Sequence, residues 1–118
     1  MRRMSRGPIP LTLKELVEGG VHIAGGSDAP CAGPDWKMGI LGAILQGLSA
    51  EQAIRMYTIE SAWLNHMENI KGSIEVGKLA DFCILDKNIL TISPKEIGDI
   101  QNLMTIVGGK IVYDAGKL

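Results

Sequence analysis

The chain has 118 residues, of which 46% are hydrophobic and 21% charged, so a disordered or fibrous protein is excluded and one domain with a modest core is expected. Its 12 lysines and arginines nearly balance its 13 aspartates and glutamates, and a formal net charge of -1 gives no electrostatic signature of a nucleic-acid-binding or membrane-binding protein. The 15 glycines and the aromatic content of 4% indicate many turns and few bulky side chains, so we expect a core that a partner could complete.

Targeting signals and cysteine usage narrow the setting further. No apolar run approaches the roughly 20 residues that cross a bilayer, and residues 1–10 lack the apolar stretch of a signal peptide. We therefore expect a cytoplasmic protein. Cys31 and Cys83 lie far apart and have no CxxC spacing, which indicates two free thiols and neither a redox pair nor a zinc knuckle.

The first predicted elements are a short helix and a strand. Thr12 and Glu15 stand in capping-box spacing, and Gly19-Gly20 supplies a stop, so a helix is predicted between them. The β-prone segment 21–24 follows directly. We expect it to be a strand that ends in the glycine-rich loop 25–30.

Three further helices are predicted before residue 70. The apolar segment 38–45 favours a helix although two glycines interrupt it. Ser49 and Gln52 again have capping-box form, and the residues after them follow helical spacing. A final helix is predicted to start after Thr58 as N-cap and to run to about His66.

The last third of the chain has the pattern of short β segments and turns. The run Phe82–Leu85 is apolar on both faces, which predicts a buried strand. Ser93 and Pro94 begin one capped helical turn. Two β-prone runs joined by Gly108-Gly109 predict a hairpin with a two-residue turn. The predicted fold class is therefore α+β, with helices followed by a small antiparallel sheet.

Asp28 is the candidate catalytic residue. A carboxylate on a loop directly after a short strand occupies the position where α/β barrels place catalytic groups. An aspartate after glycines is also a common turn former or helix N-cap, and the local pattern alone favours that interpretation.

Four segments, read together in chain order, decide between these interpretations. They are Gly25–Pro30, Ser49–Thr58, Gly72–Asp86 and Thr105–Tyr113. In this order they resemble the metal-dependent amidohydrolases of the branch with a GSDAP motif, and the resemblance covers nearly the whole chain. It implies a C-terminal portion of a TIM-barrel enzyme, in which residues 1–71 are a remnant of the metal-holding barrel and residues 72–118 are a segment of a small, composite β-sandwich.

The resemblance also implies a role for Asp28. Val21–Ala24 would match the last barrel strand, and Asp28 would match the aspartate that binds a divalent metal, expected to be zinc, and accepts a proton from the metal-bound water. Asp81 and Asp86 would be structural turn residues of the sandwich.

Other ligands that the family uses have no counterpart in this chain. The family's site also needs a His-x-His pair, a mid-barrel lysine or carboxylate and two further histidines, whereas this chain has only His22 and His66. We expect His22 to lie in the core or barrel wall, and His66 to face solvent or cap a helix end. Because a catalytic zinc takes about three protein ligands, we expect this chain alone to bind no metal and to be inactive.

Two functions follow from the sequence. The first is the C-terminal portion of an amidohydrolase that hydrolyses non-peptide C–N bonds of a small, amide-like substrate, with a homo-oligomer expected and no nucleic-acid or membrane partner. The alternative is a non-catalytic oligomerisation or binding module in which Asp28 is only a turn residue. The stretch from Trp36 to Ser49 is shorter than the family's usual connection, so the last barrel helix could be curtailed.

Overall fold

A computed structural model describes residues 11–118, and residues 1–10, where no signal peptide is expected, lie outside it. The described residues form four α-helices, a 3-10 helix and a three-stranded sheet. In chain order the elements are α1 Leu13–Glu18, α2 Trp36–Leu45, α3 Ala50–Tyr57, α4 Ile59–Leu64, β1 Phe82–Leu85, the 3-10 helix Pro94–Asp99, β2 Asn102–Val107 and β3 Lys110–Asp114. The four α-helices precede the antiparallel sheet, which agrees with the predicted α+β class. None of the described helices is long and apolar enough to cross a bilayer.

Both predicted capping boxes are confirmed. The Thr12 hydroxyl accepts from the Glu15 N–H at 3.2 Å, and the Glu15 carboxylate accepts from the Thr12 N–H at 2.7 Å. Ser49 and Gln52 make the same exchange at 3.1 and 2.9 Å at the start of α3. Each exchange satisfies backbone donors that the first helical turn leaves without partners.

Two other helix boundaries differ from the predictions. The helix predicted from residue 38 begins earlier, at Trp36, because the Asp35 carboxylate caps it by accepting from the Lys37 N–H at 3.1 Å. Thr58 precedes α4 as predicted but does not cap it with its side chain, since its hydroxyl donates to the Ile54 carbonyl at 2.9 Å. α4 also ends at Leu64, short of the predicted end at His66.

The strand predicted at Val21–Ala24 is wrong. The segment has no regular secondary structure, and Val21 is 50% exposed. A β-strand requires a neighbouring strand to pair its N–H and C=O groups. The part of the chain that the structure describes places no strand beside the segment 21–24. Its two ends are held to helices instead, by Val21 N–H to the Leu16 carbonyl at 3.0 Å and Gly25 N–H to the Met56 carbonyl at 2.9 Å.

The sheet has the order β1-β2-β3, and both pairs of neighbours are antiparallel. The predicted hairpin is confirmed, with Gly108 and Gly109 at φ values of 58° and 79° in its turn. The prediction that Phe82–Leu85 is buried is wrong, because its residues are intermediate or exposed. The reason is that no second sheet covers the strands within residues 11–118.

The buried core lies between α2, α3 and the 3-10 helix. Its members are all aliphatic or sulfur-containing: Ile40, Ala43, Leu48, Ala53, Met56, Ile97 and Ile100. Lys37 of α2 also hydrogen-bonds to the chain around the end of the 3-10 helix. Its ammonium donates to the carbonyls of Gly98 and Ile100 at 3.3 and 3.1 Å. Among the described residues, 16 large hydrophobic side chains are exposed against eight buried hydrophobic ones, so much apolar surface has no cover.

Candidate functional site

The loop that carries Asp28 is fixed at its base by the junction of α3 and α4. The Gly25 N–H donates to the Met56 carbonyl at 2.9 Å. The Ser61 hydroxyl, on α4, donates to the same carbonyl at 2.6 Å and approaches the Gly25 carbonyl at 3.5 Å. The loop therefore starts from a defined point on the helical core.

The ring of Tyr57 explains why glycines stand at two positions around this point. A Cβ atom on Gly25 would lie 2.6 Å from Cε2 of Tyr57, and one on Gly39 would overlap the Tyr57 hydroxyl. Real Cβ atoms essentially never approach so closely. The Tyr57 side chain therefore connects α2, α3 and the base of the loop only because both neighbours lack a side chain.

Asp28 itself forms a turn and leaves its carboxylate exposed. Its φ is 48°, in the left-handed region that aspartate tolerates better than most residues. The Cys31 N–H donates to the Asp28 carbonyl at 2.8 Å, and the Ala32 N–H donates to the Ser27 carbonyl at 3.2 Å. The turn geometry and an accessible acidic group are thus both present at this residue.

The described residues do not fit a metal centre. Within residues 11–118 the structure brings together no group of three or more histidine, cysteine, aspartate or glutamate side chains that could hold an ion. Asp28 would supply one ligand where a catalytic zinc ordinarily takes about three from the protein.

His22 lies on the surface, so the prediction that it is a core or barrel-wall residue is wrong. Its Nδ1 atom is 2.6 Å from Oε2 of Glu60, and its ring stacks on Trp63 with centroids 3.9 Å apart and planes at 12°. The side chain is 48% exposed. Because the segment 21–24 joins no sheet, its histidine packs against the outside of α4.

Glu60 links this histidine to Arg55. Its Oε1 accepts from Nη2 of Arg55 at 3.0 Å, and its side chain is only 16% exposed. The hydrogen bond to His22, with Arg55 contributing, holds the pKa of Glu60 below its ordinary value of 4.5. The three side chains border an open cleft of about 180 Å³. The sequence did not reveal this cluster, because 38 residues separate His22 from Glu60.

Asp81 and Asp86 have the structural role that the resemblance implies. The Asp81 carboxylate accepts from the Gly108 N–H at 2.8 Å, which supports the hairpin turn. The Asp86 carboxylate accepts from the Gln101 N–H at 2.8 Å and so connects the end of β1 to the start of β2. Both carboxylates are engaged in loop closure.

The remaining histidine and the cysteines lie where the sequence placed them. His66 is exposed just beyond the end of α4, and its N–H donates to the Trp63 carbonyl at 2.9 Å. Cys31 and Cys83 are both free and exposed. The Cys83 thiol lies 3.0 Å from Oδ1 of Asn102, and partial burial raises its pKa.

Comparison with known proteins gives the class of protein. The model of the amidohydrolase family matches residues 3–113. The Bacillus subtilis protein YtcJ, named as an amidohydrolase, is 34% identical over 116 residues, a match that covers 86% of this chain and 22% of YtcJ. The N-substituted formamide deformylase of Arthrobacter pascens is 31% identical over 114 residues, covering 86% of this chain and 21% of the enzyme. The chain therefore belongs to the amidohydrolase family.

One further relative and one solved structure are also similar to this chain. The imidazolonepropionase of Bacteroides thetaiotaomicron is 33% identical over 102 residues, covering 83% of this chain and 24% of that enzyme. An amidohydrolase from Thermotoga maritima has the same fold over 86% of this chain and 25% of its own, with a TM-score of 0.73 at 23% identity. The chain thus spans less than a quarter of the length of the curated relatives described here.

Proposed function

We propose that the chain is the C-terminal portion of a hydrolase that acts on non-peptide C–N bonds of a small, amide-like substrate. The observation that carries this proposal is the family match over residues 3–113, which includes the loop with the exposed Asp28 carboxylate. The formamide deformylase and the imidazolonepropionase among the relatives have names that fit such a substrate. In this proposal residues 1–71 belong to the barrel and residues 72–118 to a composite β-sandwich.

Asp28 is proposed as one ligand of a divalent metal, with zinc expected. Its position supports this role, because the loop base is held by Tyr57 and Ser61 while the carboxylate stays accessible. The other ligands would come from outside residues 11–118, since the described residues alone do not fit a metal centre. The isolated chain is accordingly proposed to bind no metal stoichiometrically and to have no hydrolase activity.

A chimeric enzyme tests the role of Asp28. The aligned C-terminal portion of the Arthrobacter pascens deformylase is replaced by this chain, and deformylase activity and zinc content are measured. Asp28→Asn should lower both, with activity falling about a hundredfold or more, the smallest effect usual for a lost acid–base group. Asp99→Asn, an exposed carboxylate at the end of the 3-10 helix, is the matched control and should change neither.

The isolated chain gives the complementary test. Zinc titration followed by calorimetry should detect no stoichiometric site, and amide, urea-like and cyclic imide substrates should not be cleaved. Stoichiometric zinc binding that Asp28→Asn abolishes would contradict the proposed dependence on ligands from elsewhere. A chimera whose Asp28→Asn variant retains full activity and zinc would contradict the proposed role of Asp28.

A second candidate function is a non-catalytic oligomerisation module. The observation that favours it is the sheet, in which every residue of β3 is exposed. Ile111 and Val112 are 58% and 61% exposed, so the apolar side chains of this strand have no cover among the described residues. Light scattering of the purified chain tests this role, since a monomer would exclude an oligomerisation module.

A further inference from the structure

The loop that carries Asp28 has two arms, and both arms contact the side chain of Tyr57. The first arm starts at Gly25, and the second returns through Asp35, the N-cap of α2, to Gly39 on that helix. A Cβ atom on Gly25 would lie 2.6 Å from Cε2 of the ring, and one on Gly39 would overlap the hydroxyl oxygen. The tip of the tyrosine therefore lies between the two arms and sets their separation.

Neither of these two glycines is required by its own backbone. Gly25 and Gly39 are not among the glycines with a positive φ, so a side chain at either position would meet no strain from a left-handed conformation. At both positions the three heavy atoms nearest to an added Cβ belong to Tyr57. Gly42, about one turn further along α2, has no heavy atom within 4 Å of an added Cβ. The tyrosine ring therefore explains why positions 25 and 39 lack a side chain.

A short turn joins the two arms and carries Asp28. Hydrogen bonds of 2.8 and 3.2 Å close the segment 27–32 on itself, and the shorter one joins the Cys31 N–H to the Asp28 carbonyl. One residue separates this segment from Gly25. A shift of Gly25 relative to the helices would therefore carry the Asp28 carboxylate with it.

We propose that Tyr57 is a positioning residue for Asp28 and acts as a spacer between the two arms of the loop. This role rests on the hydrolase function proposed above, because it concerns where the Asp28 carboxylate lies when the reaction takes place. Tyr57 acts on that carboxylate through the backbone at Gly25. Misplacing a catalytic group by about 1 Å is enough to slow a reaction about a hundredfold.

Kinetics of the chimeric enzyme test this role. With zinc in excess, Tyr57→Leu should lower kcat about 10–100-fold, the loss usual for a group that orients a metal ligand, and should leave KM nearly unchanged. Tyr57→Phe keeps the ring against Gly25 and should lose less. A residue that only stabilised the fold would change the folded fraction, which circular dichroism measures, and kcat per folded molecule would stay the same.

Two glycines of α2 test whether the effect passes through the ring. Gly39→Ala should lower kcat, because its Cβ displaces the Tyr57 hydroxyl, whereas Gly42→Ala is the matched control and should leave kcat unchanged. Tyr57→Leu removes the atoms that Gly39→Ala meets, so the double variant should lose no more activity than Tyr57→Leu alone. A Gly39→Ala substitution that is equally harmful with and without Tyr57→Leu overturns the proposal.

Hydrogen exchange in the chain by itself gives a readout other than activity. The Gly25 N–H donates to the Met56 carbonyl at 2.9 Å, and the Ala53 N–H donates to the Ser49 carbonyl in α3 at the same distance. Tyr57→Leu should speed exchange at Gly25 at least about tenfold more than at Ala53, because the loop base can open while α3 stays folded. Equal acceleration at both sites overturns the proposal, since Tyr57 would then only stabilise the whole chain.

Asp28→Asn in the chimera separates failure of this role from failure of the proposed function. If Asp28→Asn lowers activity and Tyr57→Leu does not, the positioning role is overturned and the proposed function stands. If Asp28→Asn retains full activity, the proposed function is overturned and the positioning role falls with it. Lower kcat in Tyr57→Leu and Gly39→Ala, together with faster exchange at Gly25, supports the role.

Discussion

Gly72 opens the segment Gly72–Asp86, and its replacement by alanine tests whether the backbone there is fixed by packing. Its φ is 96°, a conformation that L-residues rarely adopt. A Cβ atom at this position would lie 2.7 Å from Cβ of Ala62, 3.0 Å from Cα of Ile59 and 3.2 Å from the Thr58 carbonyl oxygen. Two of these three neighbours are main-chain atoms, which cannot move aside without distorting the start of α4.

The expected cost has two parts that a control can separate. A left-handed conformation costs a non-glycine residue about 1–2 kcal/mol, and overpacking a tight site costs about 1–3 kcal/mol more. Gly72→Ala should therefore lower the free energy of unfolding by about 2–5 kcal/mol. Gly77→Ala is the matched control, because Gly77 has a φ of 94° and no heavy atom within 4 Å of the added Cβ. Gly77→Ala should lower the free energy of unfolding only by the cost of the left-handed conformation, about 1–2 kcal/mol.

Urea unfolding followed by tryptophan fluorescence and circular dichroism measures both variants. The reasoning predicts that Gly72→Ala is the more destabilising by at least about 1 kcal/mol. Equal destabilisation of the two variants would refute the argument from packing, since it would leave the positive φ as the whole effect.

Two other contacts give predictions of the same kind. Glu60→Gln should lower the free energy of unfolding at neutral pH, and the difference from the unmodified chain should vanish as pH falls below 4.5. The reason is that a carboxylate whose pKa is lowered by His22 contributes stability only while it is ionised. Glu51→Gln, on α3, should show no such pH dependence in urea titrations. Lys37→Met should lower the midpoint of urea unfolding by removing two hydrogen bonds to carbonyls, a loss of about 1–3 kcal/mol, whereas Lys95→Met should have little effect.

Local sequence signals account for the parts of the fold that could be predicted. The capping boxes at Thr12 and Ser49 involve groups three residues apart, so the sequence alone contains the whole interaction. The glycine pair 108–109 likewise determines its own turn, because positive φ values are required at both positions. Such elements form from neighbouring residues whatever lies elsewhere in the chain.

The wrong predictions about the segment 21–24 and about His22 both concern groups that need a distant partner. The segment 21–24 has strand composition, but a strand exists only when another strand accepts its hydrogen bonds. The prediction that His22 lies in the core depends on a buried strand at 21–24. Because the segment is not a strand, His22 instead contacts Glu60, a partner that no local sequence pattern could indicate. The turn at Asp28 could be predicted from the preceding glycines, whereas the presence of other metal ligands near its carboxylate depends on residues that are distant in sequence.

The two proposed roles make different demands on the same exposed surface. If the chain acts within a larger amidohydrolase, polypeptide beyond this chain packs on the sheet, and β3 has no need to recognise its own copy. If the chain acts by itself, the exposed apolar residues of β3 must be covered by contacts that the chain makes with another copy of itself. Light scattering of the purified chain therefore bears on both roles, because a chain that remains monomeric cannot act as an oligomerisation module by itself.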